Sequence, residues 1–157
     1  MERETYLTFL IGEDYFAVNV KKVLEVLEKQ KVTQVPKAPD YILGIINFRG
    51  QILPVIDTRK KFGIAENESN GKKAVIVYEI KNEAEVTTIA ATADGVKDVI
   101  EIDDNEIKPI PEIGISYDTH FIRGAVNRND KFILLIDIEK ILSLSASEQI
   151  DQHELIN

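Results

Sequence analysis

What most restricts the fold of this chain is that its sequence contains a stretch of itself twice. Residues 41–62 align without a gap on residues 121–142, at an offset of 80. Identities fall at Ile42/Ile122, Gly44/Gly124, Asn47/Asn127, Ile56/Ile136, Asp57/Asp137 and Lys60/Lys140, and most other core positions pair apolar with apolar. A second block, Val20-Lys21-Lys22-Val23-Leu24-Glu25-Val26, matches Val96-Lys97-Asp98-Val99-Ile100-Glu101-Ile102 at an offset of 76. Between the blocks, Val35-Pro36 has a counterpart in Lys108-Pro109, each with a further proline close behind, Pro39 and Pro111. Ordered blocks at nearly one offset indicate two similar units in one chain. Each would hold roughly 60–70 residues, close to the lower limit for a domain that folds alone. The two are therefore expected to share an apolar interface and fold cooperatively.

The units read as β structure. Short runs rich in Val, Ile, Thr and Tyr, punctuated by Gly, Asn, Asp or Pro at intervals of about ten residues, are the pattern of an all-β barrel or sandwich. Strands are expected near residues 5–11, 15–19, 23–28, 44–48, 51–56, 73–80, 86–93, 96–102, 122–127 and 131–136. Gly12-Glu13-Asp14 and Arg49-Gly50 mark turns between strands. Short helices are expected over 58–62 and 138–142, each preceded by an Asp (Asp57, Asp137) whose carboxylate can accept first-turn amides, with one further turn near 39–42. Asp57 and Asp137 are thus read as caps and not as catalytic acids. Residues 65–72 read as a loop, and the polar, acidic end from 146 to 157 as a frayed helix or tail. The expected division is a first barrel over 14–72 and a second over 73–145, with the alternative left open that strand 5–11 crosses over to complete the second.

Composition removes several functional classes. With 19 basic against 27 acidic residues the formal charge is −8, which repels phosphate backbones and anionic lipid, so neither nucleic-acid binding nor membrane adsorption is expected. There is no cysteine, and His120 and His153 have no carboxylates at ligand spacing, so neither a disulfide scaffold nor a metal site is expected. No apolar run reaches the roughly 18 residues of a membrane span, and Met1-Glu2-Arg3-Glu4 runs directly into the first strand. A soluble, cytoplasmic protein is expected. The segment ending in Gly71-Lys72 fails the phosphate-loop spacing, with Lys73 where a hydroxyl would be needed. Serine elbows, H-E-x-x-H and a thiol nucleophile are absent from the sequence. Pairs such as Asp103-Asp104 are ordinary on an acidic surface. No enzyme and no cofactor is expected.

The segment Gly44-Ile45-Ile46-Asn47-Phe48-Arg49-Gly50-Gln51-Ile52-Leu53-Pro54-Val55-Ile56-Asp57-Thr58-Arg59 resembles the signature of the CheW family, G-x-x-N-x-R-G-x-x-x-P-V-x-D-L-R, departing at Thr58, where leucine is usual. Phe16-Ala17-Val18 with Val23-Leu24-Glu25-Val26, Ala93-Asp94-Gly95-Val96-Lys97-Asp98-Val99, and Leu134-Leu135-Ile136-Asp137-Ile138-Glu139-Lys140 fit the family as well. The match runs from about Thr5 to Leu142. The resemblance implies two SH3-like five-stranded β barrels side by side with short helices and a C-terminal helix. It also implies a chemotaxis adaptor without catalytic activity, in which one surface docks the regulatory domain of the histidine kinase CheA. A groove near the junction of the barrels would hold the helical tip of a methyl-accepting chemoreceptor, recruiting the protein to membrane receptor arrays. The alternative is a CheW-like scaffold of a pilus-motility or developmental pathway. A small-ligand sensor or enzyme using a cavity between the barrels is a third, which a filled junction would count against.

Residue by residue, Arg49 sits in a tight turn that holds a long cation out from the barrel, available to a carboxylate or carbonyl on a partner. A solvated turn arginine is the plainer account. The family motif and the Asn129-Asp130 at the equivalent turn of the second copy favour a partner role. By the resemblance, Val23, Glu25, Asn47, Arg49 and Gly50 belong to the receptor-binding groove, although Glu101 opposite Glu25 in the repeat also admits a shared structural pairing. Gly44 and Gly124 read as a backbone requirement, a bulge or a close approach, and the resemblance also places Gly44 near the kinase contact. Arg59-Lys60-Lys61 reads as a solvated basic helix face.

Overall fold

A computed structural model describes residues 2–28, 30–64, 74–81, 85–110 and 121–141. It contains strands β1 (Arg3–Ile11), β2 (Asp14–Asn19), β3 (Val23–Glu28), β4 (Ile42–Phe48) and β5 (Gln51–Ile56), helix α1 (Thr58–Phe62), and strands β6 (Ala74–Lys81), β7 (Val86–Ala93), β8 (Gly95–Asp103), β9 (Ile122–Arg128) and β10 (Lys131–Ile136). Single 3-10 turns at Val20–Lys22 and Asp104–Glu106 flank β3 and β8, and residues 138–141 are helical. The expected loop 65–72 and the C-terminal helix or tail beyond 141 lie outside the described residues. The turn expected near 39–42 closes by Ile42 N donating to Pro39 O at 3.0 Å.

The strands form two five-stranded sheets, ordered β3-β6-β7-β5-β4 and β8-β1-β2-β10-β9, the two SH3-like β units that the sequence implies. The sheets repeat one another in detail. Val55 and Leu135, 80 apart, lie parallel beside Ala90 and Ala17, which in turn face Val77 and Thr8 across antiparallel pairs. The repeating unit is therefore β3-β4-β5-β6-β7 in one copy and β8-β9-β10-β1-β2 in the other. This corrects the expected division at 72/73, since β2 belongs with β8–β10 and β6 and β7 belong with β3–β5; β1 lies in the sheet of β8–β10, the alternative left open for strand 5–11. The identities at offset 80 sit in β4, β5, β9 and β10 and in the capped helical turns that follow β5 and β10. In β1/β6 and β2/β7 the identities are sparse, Ile11/Ile80 and Ala17/Ala90, so the permuted order left little mark on the sequence.

The second repeat block is also shifted. Val23 and Val26 face Tyr78 and Ile76, while Val96 and Val99 face the equivalent Phe9 and Leu7, with an irregularity at the same place in both pairs. The true partners are Val23/Val96 and Val26/Val99, an offset of 73. Val20, Val23 and Val26, like Val96, Val99 and Ile102, recur every third residue, so a slip of three preserves the match. The counterpart of Glu25 is Asp98, not Glu101.

Three apolar clusters follow from the alternation of side chains across each strand. Ile46, Phe48, Leu53, Val55, Val75, Val77 and Ala90 fill one barrel, and Tyr6, Ala17, Ile102, Val126, Ile133 and Leu135 fill the other. The opposite faces of the same central strands meet at the junction, where Phe9, Phe16, Ile76, Tyr78 and Ile89 pack with Phe62 and Phe121. An aromatic chain runs through it, with ring centroids 6.0 Å apart for Phe9–Phe16, 5.3 Å for Phe16–Phe62 and 4.4 Å for Phe62–Phe121, within the range of favourable ring pairing. Strands buried on both faces read as near-continuous apolar runs, as in Ala74–Lys81. Burial pushes the Tyr78 hydroxyl pKa up. The void at the junction, lined by Ile56, Phe62, Tyr78 and Ile138 among others, measures about 10 Å³, at the threshold for a single water.

Candidate functional site

The β4–β5 hairpin closes through two residues of positive φ, Arg49 at +53° and Gly50 at +82°, with Phe48 facing Gln51. This is the hairpin geometry whose twist matches the strands, and it ordinarily recruits Asn-Gly or Asp-Gly. Asn47 supports the tip, its Oδ1 accepting from Gly50 N at 2.9 Å. Arginine in the left-handed region is disfavoured by roughly 1–2 kcal/mol. The turn therefore carries a residue that backbone preference selects against, and its side chain projects outward, 68% exposed.

That side chain reaches β3. Arg49 Nη2 donates to Glu25 Oε1 at 2.8 Å, and its guanidinium lies 4.8 Å from the Phe48 ring. A pair this exposed contributes at most about 1 kcal/mol to stability; what it does achieve is to hold two charges in a fixed array, each with hydrogen-bonding capacity left for a partner. The same strands carry exposed apolar side chains: Leu24 and Val26 on β3 are 43% and 36% exposed, and Ile52 on β5, facing Asn47, is 68% exposed. Val23 is half-buried at the junction end of β3, against Tyr78. Five expected site residues, Val23, Glu25, Asn47, Arg49 and Gly50, thus fall along β3 and the hairpin tip, with Glu25 and Arg49 in direct contact.

Gly44 lies elsewhere, buried on β4 where the chain after β3 crosses it. Thr33 N donates to Ile45 O at 3.0 Å and Ile45 N to Thr33 O at 2.8 Å. A Cβ on Gly44 would stand 2.2 Å from Thr33 O, and one on Gly124 2.7 Å from Lys108 O. Both glycines permit a close backbone crossing at a bulge. The two aspartate caps also coincide: Asp57 Oδ1 accepts from Arg59 N and Lys60 N at 3.1 and 3.4 Å, and Asp137 Oδ1 from Glu139 N and Lys140 N at 3.1 and 3.3 Å.

The basic run after Asp57 is not a solvated face. Arg59 is buried, its Nη2 donating at 2.6 Å to Asp94 Oδ2, which also accepts from Gly12 N at 2.5 Å. Lys61 lies 4.2 Å over the Tyr41 ring, and partial burial lowers its pKa. Of the three cations Lys60 alone is exposed. The charge run concealed this because α1 is one turn long and directs Arg59 inward; the usable signal was the Asp94-Gly95 pair immediately after β7. Among the described residues no group of His, Cys, Asp and Glu could hold a metal, and no helix is long and apolar enough to cross a membrane.

A family model for the CheW-like domain matches residues 5–146. The chain belongs to the CheW-like family. It is 32% identical to the chemotaxis protein CheW of Bacillus subtilis, covering 92% of this chain and 90% of that one. It is 30% identical to that of Klebsiella aerogenes, covering 94% and 87%. The crystal structure of the scaffolding protein TtCheW from Thermoanaerobacter tengcongensis matches with a TM-score of 0.78 and 32% identity over 90% of this chain and 88% of that one. As a CheW-like chain this protein is a chemotaxis scaffold and not an enzyme.

Proposed function

We propose that this CheW-like chain couples methyl-accepting chemoreceptors to the CheA-type histidine kinase, acting in the cytoplasm and at membrane receptor arrays. Val23, Glu25, Asn47, Arg49 and Gly50 form its receptor-side surface. The observation that carries this reading is the Arg49–Glu25 pair at 2.8 Å, on strands that also carry the exposed Leu24, Val26 and Ile52. Exposed apolar side chains together with one fixed charge pair suit a helix that presents apolar side chains and a few polar ones. The kinase regulatory domain docks separately. Gly44 serves that contact by shape, fixing the crossing of residue 33 over β4. Coupling then arises from holding kinase and receptor at fixed geometry, with no bond made or broken.

Calorimetry of the purified protein against the cognate kinase regulatory domain, and separately against a soluble receptor tip, tests this. Wild type should bind both. Arg49→Ala should retain kinase affinity and weaken receptor binding about tenfold, the equivalent of about 1.4 kcal/mol. Absence of binding to either partner overturns the reading, and loss of kinase binding in Arg49→Ala reassigns the surface.

A further inference from the structure

The chain passes between the barrels at two places in the described residues, from β2 to β3 and from β7 to β8, and the two crossovers are fastened very differently. At the β7–β8 crossover Asp94 is gripped by Arg59 and the Gly12 amide. The side chains of Arg59 and Asp94 are only 9% and 12% exposed. The start of α1 is also stitched to the end of β7: Thr58 N donates to Thr92 Oγ1 at 3.1 Å, and Thr58 Oγ1 to Thr92 O at 2.6 Å.

By the register of the repeat, the counterparts of Thr58, Thr92 and Arg59 are Ile138, Asn19 and Glu139. Ile138 has no hydroxyl. Asn19 is engaged elsewhere, accepting from Lys21 N at 2.9 Å and donating to Glu4 Oε2 at 2.7 Å. What joins the β2–β3 crossover to the helical turn is an ion pair of reversed polarity, Lys22 with Glu139, whose side chains are 35% and 41% exposed. Beside it lies an open cleft of about 180 Å³, bounded by Val18, Asn19 and Lys22 on one side and Arg123, Asp137 and Glu139 on the other.

We propose that the two crossovers are a pivot and a latch: the Arg59–Asp94–Gly12 clamp fixes one, and the Lys22–Glu139 pair closes the other and releases it by local opening. Lys22 adjoins Val23, so opening would move the junction end of β3 relative to the second barrel. A charge pair in contact with water is loosened by salt, whereas a buried one is shielded from it. The inference does not rest on the partner reading, because it is tested on the isolated protein.

Amide hydrogen exchange on the full chain resolves it. Residues 20–23 should exchange faster than residues 94–96. Raising salt from about 0.01 to 1 M, which shortens the Debye length from about 30 to 3 Å, should speed exchange at 20–23 several-fold and leave 94–96 unmoved. Lys22→Glu should produce the same acceleration at low salt, and the double exchange Lys22→Glu with Glu139→Lys should return it to within about twofold of wild type, as expected of a pair whose coupling is mutual. Equal exchange at the two crossovers, salt-insensitive exchange at 20–23, or no recovery in the double exchange overturns the latch.

Discussion

The two β hairpins that the repeat places 80 residues apart have the same register, the same bulge, the same crossing segment and the same aspartate cap, yet differ at their tips. One tip is Arg49-Gly50, at φ +53° and +82°; the other is Asn129-Asp130, at +54° and +63°. Asn and Asp are the residues other than glycine that enter the left-handed region most readily, so the second tip is what the backbone asks for. The bases differ too. Phe48 is buried in its barrel, whereas its counterpart Arg128 makes a two-pronged pair with Glu106, both contacts at 3.0 Å. Under the proposed function, the departure that works against local preference marks the copy carrying the interaction. Here that departure is Arg49.

The comparison is broken most severely at the crossovers. Arg59→Met leaves Asp94 buried without its cation and should cost about 3–5 kcal/mol, whereas Glu139→Gln removes an exposed partner and should cost about 0–1 kcal/mol. Urea unfolding of both variants measures the difference, and similar losses would mean that the crossovers are equally fastened. Next come the glycines. Gly44→Ala and Gly124→Ala should each destabilise by about 1–3 kcal/mol through overpacking. Gly44 should be the worse, because its Cβ meets the Thr33 carbonyl at 2.2 Å, while Gly124 meets the Ile107 side chain and the Lys108 carbonyl, each at 2.7 Å. The reverse order would show that the β9 crossing is the stiffer. The caps should separate least: Asp57→Ala and Asp137→Ala are each expected to lose about 1 kcal/mol, and thermal unfolding should place the two within error of one another.

All ten strands and α1 were legible as alternating or continuous apolar runs, because the alternation decides which face meets a core. Strand order was not. Nothing local in Tyr6-Leu7-Thr8-Phe9 tells which sheet it joins, since its partner β8 lies far along the chain and the pairing is fixed by packing at the junction. The candidate site was legible where chemistry departs from expectation, as at Arg49 against Asn129. It was hidden where a side chain's direction matters: Arg59 looks like its neighbours Lys60 and Lys61 until α1 is seen to turn it toward Asp94. Glu25 was assigned the wrong counterpart because a valine every third residue fits two registers equally well.

The finest test of the comparison exchanges the tips. Arg49→Asn relieves the left-handed strain but removes the Glu25 pair and the contact with the Phe48 ring. The relief, about 1 kcal/mol, and the loss, about 0.2–1 kcal/mol for an exposed pair, nearly cancel, so stability should stay within about 0.5 kcal/mol of wild type. Receptor-tip affinity should nonetheless fall about tenfold. Asn129→Arg should instead lower stability by about 1 kcal/mol, the ordinary penalty of that backbone region, without touching receptor binding. Stability that holds while affinity falls in the first variant would assign Arg49 to the interface and not to the fold. A loss of more than about 2 kcal/mol in Arg49→Asn, well beyond what an exposed pair can supply, would instead make the pair part of the fastening of β3 to its barrel, and the tip would then differ from its twin for reasons of structure alone.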